Sequence, residues 1–428
     1  MRWATAIAAG CAVVLIAAVL YTVTRPEPSA ASVEAVVSDA MAFVEQTRGL
    51  ELERAVPVHI MNDAEFEQIT GADASLDDEA LVLLAAQQRA LGMATPADFA
   101  EALESDADTN ILGLYTHRSQ SIMVRDVPAD DALTATIVHE LVHALQDEHF
   151  SLTGRGEMTS DESMAFSSLI EGEASYVMHA WSDANGYTEE NEGDYETQIP
   201  LGMIVSGTMP YIVGPIYVAT ETEGDIEAMN ALHGSPPRSS AQVVRPWLEW
   251  DDQPSPTPIR FDDLDGEVLI VDSWGGIQLT MAVAAVTGDP ALGWTTGAAW
   301  ANDEFITFER SDSTVCVVWN IAARVGYRGQ LQEGLEAYAE ALPDASVVGT
   351  TLTSCDPETP DGLVGPSAGI DTLIHVSTGM AMLSYLGADE SADCAVTRLL
   401  ETGELETIWY SDDPLAHPTT IEAIGSCA

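Results

Sequence analysis

His139-Glu140-Leu141-Val142-His143 is an H-E-x-x-H element. On a helix, residues four apart share one face, so both imidazoles can point at one metal ion. Glu140 then lies beside the metal's open coordination position, where a water would bind. Two nitrogen ligands, a carboxylate base and a water whose pKa is lowered toward neutrality are the parts of a zinc hydrolase site. The surrounding Ile137, Val138, Leu141, Val142 and Leu145, with no Pro or Gly among them, read as a buried helix. Two histidines buried on such a helix require polar partners.

A catalytic zinc site takes a third protein ligand and keeps one position open. The segment SLIEGEASYVMHAW offers Glu171 and Glu173 on a second helix that could pack against the first. Two residues apart, they face roughly opposite sides, so either could be the ligand but not both. Gly172 between them weakens the helix, which implies a packing reason such as close helix approach. Leu169, Ile170, Val177 and Met178 argue against a merely solvated acidic face. Asp147, four after His143, could orient a ligand imidazole, although a solvated carboxylate is the simpler reading. His59, His149 and His179 read as structural or surface residues, and His233, beside Gly234, as a helix C-terminal residue. His375 and His417 lie in the cysteine-bearing region, where either could serve as a remote proton donor.

Several elements must position this chemistry. Residues 33–49 read as an amphipathic helix and AVPVHIM (55–61) as a strand. Residues 77–105 read as two helices broken near Thr95-Pro96. The runs within 111–126 form a hairpin that turns at Arg118-Ser119 and leads into the H-E-x-x-H helix, whose start is signalled by Pro128 and Asp130-Asp131. Further helices are expected over 162–183 and about 209–232. The Pro-rich stretch 251–258 marks a boundary, beyond which strand-like runs alternate with helices. The fold class is α+β. A mainly helical domain with a small N-terminal sheet covers 33–250, and a C-terminal α+β region covers 259–428.

The chain carries 69 acidic and 15 basic residues, every one of the latter Arg, for a net charge of -54. Nucleic acid is excluded as a partner because phosphate binding needs basic patches. A carboxylate surface without Lys suggests a halophile, in which salt screens the self-repulsion. Residues 4–23 form an uncharged apolar run of bilayer-spanning length, either a signal segment or an uncleaved membrane anchor, with the anchor favoured by its length. Residues 1–32 are therefore read as anchor or signal plus linker, and the rest as extracytoplasmic: at the cell surface, or secreted if the segment is cut. Cys316, Cys355, Cys394 and Cys427 are then expected to form two disulfides, in any of three connectivities.

His139-Glu140-x-x-His143 followed by a helical Glu-Gly-x-Ala resembles the gluzincin zinc metallopeptidases. In the aminopeptidase branch of that clan the ligand is the Glu directly before Gly. The resemblance thus implies His139, His143 and Glu171 as metal ligands, with Glu173 supporting them. MPYIVGPIYVAT (209–220) also resembles that branch's Pro-Tyr-x-x-Gly segment, which implies Tyr211 as the hydroxyl that stabilises the oxyanion. HELVHALQDEHF, SSLIEGEAS, MPYIVGPIYV, SPPRSSAQVVRP and GAAWANDEFITF together look like an uncharacterised family of secreted or surface-anchored H-E-x-x-H proteins of haloarchaea and high-GC bacteria. That family often has His before the Pro of the fourth segment, whereas this chain has Arg245-Pro246.

The expected activity is zinc-dependent peptide hydrolysis, with Zn2+ held by His139, His143 and Glu171, Glu140 as general base, and a peptide or protein as substrate. The strand over 111–115 could pair with an extended substrate. The competing expectations are a non-enzymatic surface protein with a structural or vestigial metal site, and a zinc hydrolase of another amide. An intact Glu140 speaks against the structural site, which has no use for a base and fills its fourth position with protein.

Overall fold

A computed structural model describes residues 30–74, 78–103, 111–152, 156–188, 198–250 and 253–427. The apolar run at 4–23 lies outside them. The fold is α+β, 57% helical, with one three-stranded and one five-stranded sheet.

The first sheet comprises β1 (Val58–Met61), β2 (Gly113–Thr116) and β3 (Ser121–Arg125) in the order β1-β3-β2. β1 runs parallel and β2 antiparallel to β3, so β2 is an edge. The hairpin turn falls at 117–120, as its polar residues predict. Helices α1 (Ala30–Arg48), α2 (Asp63–Ala74) and α3 (Asp78–Ala90) belong to the same half of the chain. The helix α2 was not anticipated, because its residues carry almost no apolar periodicity. Helix α4 (Asp131–Phe150) carries the H-E-x-x-H element and opens on Asp130, whose side chain accepts from Leu133 N. From Ile137 to Gln146 every residue of α4 is buried, polar ones included, because the helix is covered on several sides. It packs Leu133, Ile137, Val138, Leu141 and Leu145 against Ile122 and Val124 of β3, Val44 of α1, and Ala174 and Val177 of the next helix.

That next helix, α5 (Ser160–Asn185), starts with a capping box between Thr159 and Glu162. It lies against α6 (Leu201–Thr222), which begins eight residues earlier than its sequence signal and remains helical through Pro210 and Pro215. α6 is long and apolar enough to cross a membrane, but most of it is buried inside the fold. α5 and α6 touch backbone to backbone. A Cβ on Gly172 would stand 2.3 Å from the carbonyl carbon of Gly214, and a Cβ on Gly214 would stand 2.2 Å from Ser168 O. The short helices α7 (Ile226–Leu232) and α8 (Ser240–Val244) follow.

The second sheet is antiparallel throughout: β4 (Glu267–Asp272), β5 (Trp300–Glu309), β6 (Val315–Ala323), β7 (Ala345–Val348) and β8 (Thr351–Cys355), in the order β4-β5-β6-β8-β7. Helices α9 (Gly275–Thr287), α10 (Pro290–Ala298) and α11 (Arg328–Ala341) share its core, followed by α12 (Pro366–Leu386), α13 (Glu390–Thr402), α14 (Leu405–Trp409) and α15 (Pro418–Cys427). The main apolar core draws on both sides of the Pro-rich stretch 251–258, from Leu169, Val205 and Val218 to Trp294, Trp319 and Leu399. Of the three possible disulfide patterns, the chain adopts Cys316–Cys355, directly opposite in neighbouring strands, and Cys394–Cys427, between α13 and α15. Two disulfides point to an oxidising environment.

The N-terminus of α5 is bolted to the C-terminal half by buried carboxylates. Asp161 accepts from Ser240 N and Ser240 Oγ, and its own amide donates to Ser273 O. Asp303 accepts from Trp274 N, Gly275 N and Trp319 Nε1. Burial first, then repulsion from Asp303, push Asp161 up from 3.8 to about 7 against its hydrogen bonds.

Two predictions follow from this packing. Gly172→Ala should destabilise the fold by about 1–3 kcal/mol or more, through overpacking that must separate α5 from α6; chemical denaturation measures it. Between pH 3.8 and about 7 the unfolded Asp161 has lost a proton that the folded residue retains. Stability should therefore fall as pH rises through that window. Asp161→Asn should lose this contribution, so that wild type declines relative to the variant in a pH series of denaturation midpoints.

Candidate metal centre

α4 and α5 bring His139, His143 and Glu171 together. His139 Nε2 and His143 Nε2 are 3.0 Å apart, and each is 3.2 Å from Glu171 Oε2. Both histidines are buried. Around a tetrahedral zinc ion with ligand bonds of about 2.0–2.1 Å, donor atoms would stand about 3.3 Å apart. The three side chains therefore fit such an ion. Their chemistry fits as well, since two imidazoles and one carboxylate are the donor set of a catalytic zinc site. Glu173, the other candidate ligand, is not in this group. It is fully buried and bonds Arg48, His233 and Gln146 instead.

The pocket demands positive charge. Burial opposes a charged His143, but the Glu171 carboxylate outweighs it and pushes His143 up to about 10. Burial likewise opposes a charged Glu171, yet His143 and His139 hold its carboxyl well below the usual carboxylate range. A divalent cation would answer the same demand while displacing the proton from the Nε2 atoms.

Glu140 is buried on the same turn of α4, and its Oε2 accepts from Tyr115 N of β2 at 2.6 Å. The antiparallel register explains this contact. Arg125 N bonds Leu112 O and Gln120 N bonds Thr116 O, so the intervening Tyr115 turns its amide away from β3. Burial above all raises the pKa of Glu140; the imidazoles pull it back and Glu171 adds to the rise. A carboxylate raised in this way takes up a proton more readily than a solvated one.

Tyr211 comes from α6. Its ring stacks on His139 with centroids 6.0 Å apart and planes 22° apart. Burial first, then Glu171 and Glu140, raise its hydroxyl well above the ordinary value, so it stays protonated and can only be neutral when it donates. His179, on the Glu171 side of α5, is driven down to about 4 by burial and by His139, and is a neutral imidazole.

Asp147 does not orient a ligand. Its carboxylate accepts from Tyr115 Oη at 3.0 Å and pairs with His117 at 3.5 Å. Gln146 takes that role instead, with Oε1 2.9 Å from His143 Nδ1. The signal for Gln146 was present in its i+3 spacing from His143. Nothing in the sequence connected Tyr115 N–H to Glu140, because register decides it. His149 bonds Glu51 O, and His375 pairs with Glu406 on an exposed helix face. Arg245, directly before Pro246, lies over the Trp294 ring and pairs with Asp393, an interaction that holds helices together.

Comparison with protein-family models, with curated proteins and with solved structures finds no match for this chain.

If these three side chains are the ligands, the metal-stripped wild type should take up one zinc ion per chain in a titration followed by mass spectrometry. His143→Ala and Glu171→Ala should each lose that uptake. Zinc uptake by Glu171→Ala equal to wild type would return Glu173 to consideration.

Proposed function

We propose that this chain is a zinc-dependent hydrolase of peptide bonds that works outside the cytoplasm. The observation that carries the reading is a buried carboxylate, Glu140, fixed beside the three-residue donor group by a backbone amide. A structural site would gain nothing from such a base, and among the described residues the group holds no fourth protein ligand. Membership of the gluzincin-like metallopeptidases is proposed on the same residues, His139, Glu140, His143, Glu171 and Tyr211.

Zinc bound by His139, His143 and Glu171 would supply Lewis acidity and lower the pKa of a water toward neutrality. The protein does the rest. Tyr115 N–H holds one oxygen of Glu140, which leaves the other to accept a proton from the attacking water and pass it to the departing amine. The Tyr211 hydroxyl, which bonds Glu171, would turn to an oxyanion as charge develops. Among the described residues β2 is an edge strand that runs beside α4, where an extended peptide substrate would lie; its Tyr115 N–H is already engaged by Glu140. The disulfides support an extracytoplasmic location.

Glu140→Gln decides the matter. The variant should bind zinc as wild type does and lose 100-fold or more of its peptide-cleaving activity, about the effect of a positioned acid–base group. The assay is a peptide library in high salt, read by mass spectrometry. Equal zinc content with no cleavage by either protein at any salt concentration would overturn the peptidase reading and leave the metal site standing. Tyr211→Phe should lower kcat with little change in KM, roughly 10²- to 10³-fold, as for removal of one oxyanion donor.

A further inference from the structure

His143 is tied by hydrogen bonds to a helix far upstream of the H-E-x-x-H element. Gln146 Nε2 donates to Ile170 O and to Glu173 Oε2, each at 3.0 Å. Both partners are acceptors only, so the amide group must present its NH2 to them and its oxygen to His143. His143 Nδ1 must then carry a proton, which it donates to Gln146 Oε1 at 2.9 Å. The consequence is that Nε2, the atom facing Glu171 and His139, is the nitrogen free to bind a metal.

Glu173 fixes Gln146 by accepting its amide N–H, and it is wholly buried. An unpaired carboxylate there would be prohibitively costly. It is paired on two sides: Arg48 Nε donates to Oε1 and His233 Nε2 to Oε2. Arg48, also wholly buried, donates from Nη2 to Asn230 Oδ1 at 2.9 Å. His233 stacks flat on Phe150 of α4, with centroids 3.9 Å apart. The chain of contacts thus runs from the last residue of α1, through α5, to a ligand on α4.

We propose that Arg48 and Glu173 are positioning residues that set the metal affinity of the site through Gln146, so that the site is complete only when α1 is docked. The proposal rests on the reading of His139, His143 and Glu171 as metal ligands. Neither residue touches the metal position. Each acts by fixing the tautomer and the direction of His143, and the linkage runs both ways: a docked α1 tightens metal binding, and a bound metal holds α1 down.

The test uses the full chain, stripped of metal and titrated with zinc against a chromophoric chelator. Glu173→Gln and Gln146→Leu should each bind zinc roughly 10- to 100-fold more weakly than wild type, the usual cost of losing a partner behind a ligand. Arg48→Met should act in the same direction. The exchanged pair Gln146→Glu with Glu173→Gln should recover affinity relative to Glu173→Gln alone. A carboxylate at 146 still accepts the His143 Nδ1 proton, and an amide at 173 donates to it, whereas a purely structural loss would not be repaired. Hydrogen–deuterium exchange of wild type with and without zinc supplies a readout free of mutation: the last turn of α1, Val44–Arg48, should exchange more slowly with zinc bound. Folded single variants that bind zinc as tightly as wild type, or exchange at Val44–Arg48 indifferent to zinc, would overturn the relay alone. A wild type that binds no zinc would overturn the site and the relay together.

Discussion

Two imidazole nitrogens and a carboxylate oxygen meet within 3.2 Å in a buried pocket, and the rest of the structure is arranged around that juxtaposition. Three lone-pair donors cannot crowd together in a low-dielectric interior unless something positive lies among them. In the metal-free chain a proton can meet that demand, which is why His143 is raised and Glu171 lowered. A divalent ion held by the same three side chains would meet it as well. Glu140 and Tyr211 gain their meaning from the same pocket. Glu140 is buried and Tyr211 half-buried beside it, and burial and neighbouring charge raise the pKa of each.

That juxtaposition requires α4 and α5 at close quarters, and α5 in turn is set by α6. The mutual contact of Gly172 and Gly214 lets α6 approach until the Tyr211 ring lies on His139. Ordinary side chains at either glycine would move Tyr211 away from the site. The far end of α5 is held through Asp161 and Ser240, which ties the Glu171 helix to the C-terminal half. The donor group is therefore supported from the first sheet through α4 and from the C-terminal half through α5.

The scarce cations are used where they hold elements together. With 15 Arg against 69 acidic residues, most carboxylates have no partner of opposite charge. Yet Arg48 is committed to Glu173, Arg89 to Asp356 and Arg245 to Asp393, each pair joining elements remote in sequence. Arg suits this role because its fork of donors serves two acceptors at once, as Arg89 does with Asp356 and Thr95.

Local periodicity made much of the fold legible: α1, the hairpin, α4, α5 and the long strands of the second sheet. It missed α2, whose pattern is too polar to register, and its single helix over about 209–232 omitted the first eight residues of α6 and ran through the left-handed turn at Glu223-Gly224 that separates α6 from α7. The ligand set was nearly legible. The i, i+4 spacing of His139 and His143 follows from helix geometry alone, as does the fact that Glu171 and Glu173 cannot both serve. Which carboxylate faces the histidines, which residue backs His143, and what holds Glu140 were decided by tertiary structure. Those outcomes depend on the rotation of α5 against α4, on the register of β2 against β3, and on an arginine brought from α1. A sequence carries the period of each element within itself, but the angle and offset between two elements arise only when their apolar faces pack.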